Sequence, residues 1–288
     1  MTAKADSFGI GWRPELAGGI LANLDRIDVV EVIADDFFDA PGSHRRALRT
    51  LAAQVPLVLH GVTLGLASAV PVETKRLEQT ARLFDDVRPR YWSEHLAFVR
   101  GGGVEIGHLA APPRTDATVE GAEANLERAR RVVGVPPLVE NVATLIDPPG
   151  SDRDEAEWID EILRRSNCDL LLDLHNLFAN ATNFGFDPLD FLRRIPIGGV
   201  AAIHLAGGKW VGAGGERRLL DDHLHDVPDP VYQLLTEVGA RAHRPLTVIL
   251  ERDGCYPSME CLLVQLERAR AALREGRKRH TARGEEAA

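Results

Sequence analysis

The chain has 288 residues, 44% of them hydrophobic and 27% charged, with a formal net charge of −9. That length suits one large domain or two small ones, and the balance is ordinary for a soluble globular protein. The acidic excess argues against a nucleic-acid partner, which is gripped through basic contacts to phosphates. Cys168, Cys255 and Cys261 are odd in number and lack metal-site spacing, so a reduced cytoplasmic setting is expected rather than a disulfide scaffold. The opening MTAKADSFGIGW has no apolar signal core and no apolar run reaches membrane-spanning length, so no membrane partner is expected.

Apolar runs predict strands at 8–12 (FGIGW), 29–33 (VVEVI), 56–60 (PLVLH), 90–95 (RYWSEH), 137–140 (PLVE), 169–174 (DLLLDL), 200–205 (VAAIHL) and 246–251 (LTVILE). Between them lie stretches such as SHRRALRTLAAQ, VETKRLEQTARLFDDV, TVEGAEANLERARRVV and DEAEWIDEILRRS. Their apolar residues recur at three- and four-residue steps, the signature of helices with one buried face. Nearly continuous apolar strands alternating with helices predict a parallel sheet covered on both faces. Eight such units without a linker predict one α/β domain, a (β/α)8 TIM barrel over residues 1–275. An open doubly wound sheet would carry a glycine-rich phosphate loop after its first strand. Here Gly9 and Gly11 are followed by Trp12, Arg13 and Pro14, so that fingerprint fails. RGGGVEIGH (100–108) reads as a flexible loop, and residues 276–288 as a disordered basic tail without apolar periodicity.

The strand ends carry the functional signal. From the third strand on they supply His60, Glu94 with His95, Glu140 with Asn141, Asp173 with His175 and Asn176, His204, and Glu251. In a barrel all these positions fall on the C-terminal rim, where active sites are built. A carboxylate at the end of a buried strand costs several kcal/mol unless it is paired or bound to a cation. The segment LLDDHLHDVPDP adds Asp221, His223 and His225. Imidazoles and carboxylates without thiolates suit iron, manganese, zinc or cobalt. One ion takes about four to six donors, fewer than are present, so two or three ions sharing carboxylates are expected.

These residues sit in segments that resemble the multinuclear non-haem iron-dependent oxidases, the family of the methanobactin-synthesis oxidase. The matching segments are GIGWRPEL, VVEVIADDFF, LVLHGVTLGL, WSEHLAF, LVENVATL, LLLDLHNLFANATNFGFDP, IHLAGG, LLDDHLHDVPDPVYQLL and VILERDG, in the family's order up to about residue 270. The resemblance implies a xylose-isomerase-like barrel with two or three irons that uses dioxygen to modify ribosomally made peptides, often at cysteine. It implies a Cys-containing precursor peptide as substrate and a separate partner protein that recognises the peptide's leader. Carried over by position, His60, His95 and Glu140 are expected to hold one iron. Asp173, His204 and Glu251 are expected to hold the second, with Glu140 as the bridge. His175, Asp221 and His223 are expected at a third, more labile site, with His225 having less claim. Glu140, Asp173, His204 and Glu251 are expected to carry the chemistry, and Asn141, Asn176 and Glu94 to orient the ligands. Zinc or manganese can replace iron in recombinant protein, since affinity alone does not favour iron.

Three departures from the family stand out. Gly208 replaces the second histidine of the common HLAGH, HLAAPPRT around His108 replaces a Leu-Pro-Leu-Pro stretch, and His175 stands where many members have Asn. The competing readings are a divalent-metal sugar isomerase, a metal-dependent endonuclease and a non-catalytic metal-binding scaffold. No strand end offers a lysine to polarise a sugar carbonyl, and the acidic charge disfavours the endonuclease.

Overall fold

The structure is a computed structural model that describes residues 5–214 and 217–286, with side chains up to residue 281. Twelve strands follow one another: β1 (Ser7–Gly11), β2 (Val29–Ile33), β3 (Leu57–Gly61), β4 (Trp92–His95), β5 (Phe98–Gly101), β6 (Val104–Ala110), β7 (Leu138–Glu140), β8 (Leu170–Asp173), β9 (Val200–Leu205), β10 (Gly208–Val211), β11 (Arg218–Asp221) and β12 (Thr247–Leu250). Eight of them close a barrel in the order β1-β12-β9-β8-β7-β4-β3-β2. The barrel strands are the predicted ones to within about two residues at either end, and helices lie between them. Val29, Val30, Val32, Leu57, Val58 and Leu59 are buried, as residues packed on both faces of a parallel sheet must be.

The chain packs as two compact units. The first comprises Asp28–Val142 and Ile146–Leu171, the second the residues up to Ile27, Ala143–Leu145 and everything from Leu172. In the first unit β2, β3, β4 and β7 pair in parallel, with Ile33 opposite His60, His60 opposite Ser93 and His95 opposite Glu140. In the second, β12 pairs in parallel with β1 and β9, and His204 lies opposite Ile249.

Two sequence expectations are corrected. The glycine-rich stretch 100–108 is no loose loop: β5 and β6 form an antiparallel hairpin with Gly101 opposite Val104. Gly102 and Gly103 have φ of 58° and 80°, and two positive-φ residues in succession are what a tight hairpin turn demands and glycine supplies. Residues 287–288 of the expected disordered tail lie outside the described residues, and up to Glu286 the tail instead continues the last helix, Met259–Glu286. Its stability there comes from tertiary contacts that a periodicity argument does not see. Arg277 donates to Asp6 at 2.8 Å, to the Arg244 carbonyl at 2.7 Å and to the Ala242 carbonyl, while the His280 ring packs against His243 with centroids 4.4 Å apart. No helix among the described residues is long and apolar enough to cross a membrane.

Candidate metal centre

The first unit gathers His60, His95 and Glu140, all buried, with one ligand atom of each within 4.8 Å of the others. The parallel register accounts for it, since His95 and Glu140 are Cα partners on β4 and β7. Each imidazole is oriented through Nδ1. His60 Nδ1 meets the Ser93 hydroxyl at 2.9 Å, and His95 Nδ1 meets the Gly61 carbonyl at 3.2 Å. A carbonyl only accepts, so His95 carries a proton on Nδ1, which leaves Nε2 as the nitrogen that could bind an ion. Both Nε2 atoms face the same carboxylate oxygen, Glu140 Oε2, at 3.4 Å. That is longer than a good hydrogen bond. It is close to the ~3.4 Å that separates two donors on one tetrahedral ion with bonds of about 2.1 Å.

Glu94 does not join this set. Its Oε1 accepts from the His95 amide at 2.9 Å and its Oε2 from the Leu64 amide at 3.2 Å. Burial pushes its carboxyl above the ordinary range, although the bonds from His95 oppose that shift. Its Oε1 also lies 3.5 Å from His95 Nδ1, so Glu94 sits where it can orient the imidazole. Glu31, in the middle of β2, was missed from the sequence: it is fully buried and has a carboxylate oxygen within 4.8 Å of a His60 nitrogen. Its signal was there, a charge inside the valine run VVEVI.

The second unit holds Asp173, His204 and Glu251, again buried and mutually within 4.8 Å. His204 Nδ1 lies 3.1 Å from Glu251 Oε2. Asp173 caps the helix Leu174–Phe184 by accepting from the Asn176 amide at 2.6 Å, which fixes one of its oxygens. Strand end and helix cap are therefore one residue, and that is why a run of leucines ends in a carboxylate. Asn141, next to Glu140 in the first unit, and Asn176, three residues after Asp173 in the second, are both buried.

His175, one residue into that helix, is fully buried, and its Nδ1 is 2.7 Å from Asp221 Oδ1. Its Nε2 has no hydrogen-bond partner among the described residues. A buried imidazole nitrogen left this way costs about 1–3 kcal/mol, which a metal ion or another donor partner would offset. Asp221 Oδ2 in turn is 2.8 Å from His223 Nε2. Burial would push the Asp221 carboxyl up, but the His223 charge and the bonds from His175 and His223 hold it well below its usual range. Burial likewise opposes charge on His223, yet Asp221 and Glu251 raise its imidazolium well above the ordinary value. Asp221 ends β11, paired opposite Gly208. A Cβ at Gly208 would stand 2.2 Å from the Leu220 carbonyl and 2.7 Å from His175 Cε1. The departure at Gly208 thus has a steric reason: the His175 ring fills that space. His225 pairs with Asp222 at 3.0 Å and is half exposed, apart from these ligands.

A closed parallel barrel of this kind defines a class by fold, the xylose-isomerase-like TIM barrels, and this one carries buried imidazole–carboxylate clusters that could hold metal ions. The fold matches an L-ribulose 3-epimerase, with TM-score 0.60, 15% identity and 98% of each chain covered. It also matches an endonuclease IV from Thermus thermophilus, with TM-score 0.58, 18% identity, and 93% of this chain and 99% of that one covered. At such identities the likeness concerns fold alone. Within that class, residues 7–274 match the family described as RiPP precursor modification enzyme MbnB/TglH/ChrH, and the chain belongs to it. A UPF0276 protein of Caulobacter vibrioides is 32% identical over 274 residues, covering 95% of this chain and 96% of that one. A UPF0276 protein of Streptomyces avermitilis is 36% identical over 277 residues, and this chain, 93% covered, spans 54% of its length.

Proposed function

We propose that this protein is a multinuclear non-haem iron-dependent oxidase that uses dioxygen to modify a ribosomally synthesised peptide at cysteine. The observation that carries this reading is the geometry at Glu140, where two imidazole Nε2 atoms face one carboxylate oxygen at 3.4 Å. A second imidazole–carboxylate set, Asp173, His204 and Glu251, accompanies it. The donor chemistry fits iron: nitrogen and oxygen ligands, no thiolate, and Nδ1 partners that orient the rings.

In this reading His60, His95 and Glu140 hold one ion, and Asp173, His204 and Glu251 hold a second, with Glu140 shared between them. His175, Asp221 and His223 take a third. Bound iron would supply the redox chemistry with dioxygen that no side chain performs. The protein's own residues do the rest. Ser93, Glu94 and the Gly61 carbonyl orient the imidazoles, and the buried strand ends keep bulk water from the ligands. A peptide thiolate brought to the same rim reacts within one complex instead of by collision. Recognition of the peptide's leader falls to a separate partner protein.

The test is anaerobic reconstitution with ferrous iron, followed by oxygen uptake in the presence of a Cys-containing precursor peptide, sought among short reading frames beside the gene. Uptake that requires both iron and peptide, with a mass change lost when cysteine becomes serine, supports the reading. Uptake indifferent to the peptide, or an unchanged peptide mass, overturns it.

A further inference from the structure

Five side chains of the second unit are joined end to end from a buried imidazole to the surface. His175 Nδ1 lies 2.7 Å from Asp221 Oδ1, and Asp221 Oδ2 lies 2.8 Å from His223 Nε2. His223 Nδ1 lies 3.0 Å from Asp253 Oδ2, and Arg13 Nε donates to Asp253 Oδ1 at 2.8 Å, with Nη2 closing on the same oxygen. Arg13 and Asp253 belong to none of the expected ligands.

We infer that Asp253, clamped by Arg13, is a positioning residue for His223 that sets how tightly the His175–Asp221–His223 group retains a metal ion. The inference rests on the reading above, in which that group takes an ion.

The backbone makes the case first. His223 has φ of 54°, a left-handed conformation uncommon for a residue with a Cβ. Asp253 braces that conformation from two directions, through its amide, which donates to the His223 carbonyl at 3.0 Å, and through its carboxylate on Nδ1. The side chain of Asp253 is 39% exposed, and so open a carboxylate would not hold one rotamer unaided. Arg13 removes that freedom with two N–H groups on one oxygen. Arg13 is itself fixed, since its Nη1 donates to the Trp12 carbonyl at 2.7 Å.

The chemistry follows from the ring. With Nδ1–H held by a carboxylate, Nε2 is the nitrogen turned toward Asp221 Oδ2, 2.8 Å away, and an ion held there would take the place of the proton between the two atoms. A carboxylate on the far nitrogen both orients a ligating imidazole and raises its basicity, and loss of such a partner typically costs about 10–100-fold in metal affinity. Asp253 occupies that position for His223, and Arg13 sets its aim.

The experiment titrates metal-free protein with Co(II) under anaerobic conditions, following visible absorption against a competing chelator. Four chains are compared with the parent: His223→Ala, Asp253→Asn, Arg13→Gln and Arg13→Lys. Asp253→Asn is expected to weaken about 10–100-fold the one cobalt site that His223→Ala abolishes, with the other sites and the melting temperature unchanged. Arg13→Gln should move the same site in the same direction by less, and Arg13→Lys should restore part of it. An unchanged affinity at that site in Asp253→Asn overturns the inference while leaving the third ion in place. Loss of every site together with the fold in Asp253→Asn assigns the pair a structural role only and also overturns it. If His223→Ala removes no cobalt site, the third-ion reading fails and takes the inference with it.

Discussion

At the scale of single residues, the orientation of His95 depends on a position with no side chain. A Cβ on Gly61 would stand 2.7 Å from Glu94 Oε2 and 3.3 Å from the Ser93 carbonyl. Glu94 cannot simply move aside, because it is fully buried and both of its oxygens accept backbone amides, from His95 and from Leu64. Gly61→Ala should therefore displace a buried, hydrogen-bonded carboxylate and cost about 1–3 kcal/mol, as overpacking of a filled core does. Because the Gly61 carbonyl also receives His95 Nδ1, the same change should tilt that imidazole and weaken metal binding in the first cluster. Urea denaturation and metal titration of the variant measure both effects, and wild-type values in each would show that the region yields more easily than its hydrogen bonding implies.

At the scale of elements, the helix Leu174–Phe184 does more than carry His175. Two turns after it, Asn183 accepts from the Leu219 amide at 2.7 Å and donates to the Leu219 carbonyl at 3.0 Å, with a third contact to the Thr144 carbonyl at 3.3 Å. Asn183 thus replaces a strand partner along β11 and holds Asp221, two residues on, against His175. Asn183→Ala leaves the buried Leu219 amide without its acceptor, a loss of about 1–3 kcal/mol. It should also reduce occupancy of the His175–Asp221–His223 group before that of the other two, which element analysis after graded chelation would resolve. Equal loss from all three would contradict this ordering.

The same scale shows what the sequence disclosed. The barrel was legible because each strand is a short apolar run and each helix keeps one apolar face, and because eight repeats leave few other closures. His60, His95, Glu140, Asp173, His204 and Glu251 were legible because charge at the end of a buried strand is costly and hence conspicuous. Ser93, Gly61, Arg13 and Asp253 were not, because a serine, a glycine or a surface ion pair is common anywhere and gains meaning only from its partner. The hairpin at 98–110 was legible in principle, since Gly102-Gly103 between short runs is a turn signal, but the third glycine next to them disguised the register.

At the scale of the whole molecule, the buried carboxylates divide the energetic cost of the fold unequally. Glu31, Glu94, Glu140, Asp173 and Glu251 are all nearly or fully buried, and a buried carboxylate must find a cation, a proton or a set of donors. Glu94 has its amides and Asp173 its helix cap, whereas Glu140 faces two imidazole nitrogens. Metal binding to the native state alone stabilises it by mass action, so chelation should lower the melting temperature and added ferrous iron should restore it. Glu140→Gln keeps the volume of the side chain but removes the charge. If Glu140 serves only His60 and His95, the variant should lose one metal equivalent from a parent holding at least two. If it is shared with the ion of Asp173, His204 and Glu251, as proposed, two sites should weaken together while the barrel stays folded by circular dichroism. Element analysis after anaerobic reconstitution distinguishes these outcomes, and full metal content in Glu140→Gln would refute both. A parent that never exceeds one equivalent would leave no second ion to share, and the multinuclear reading would fall with it.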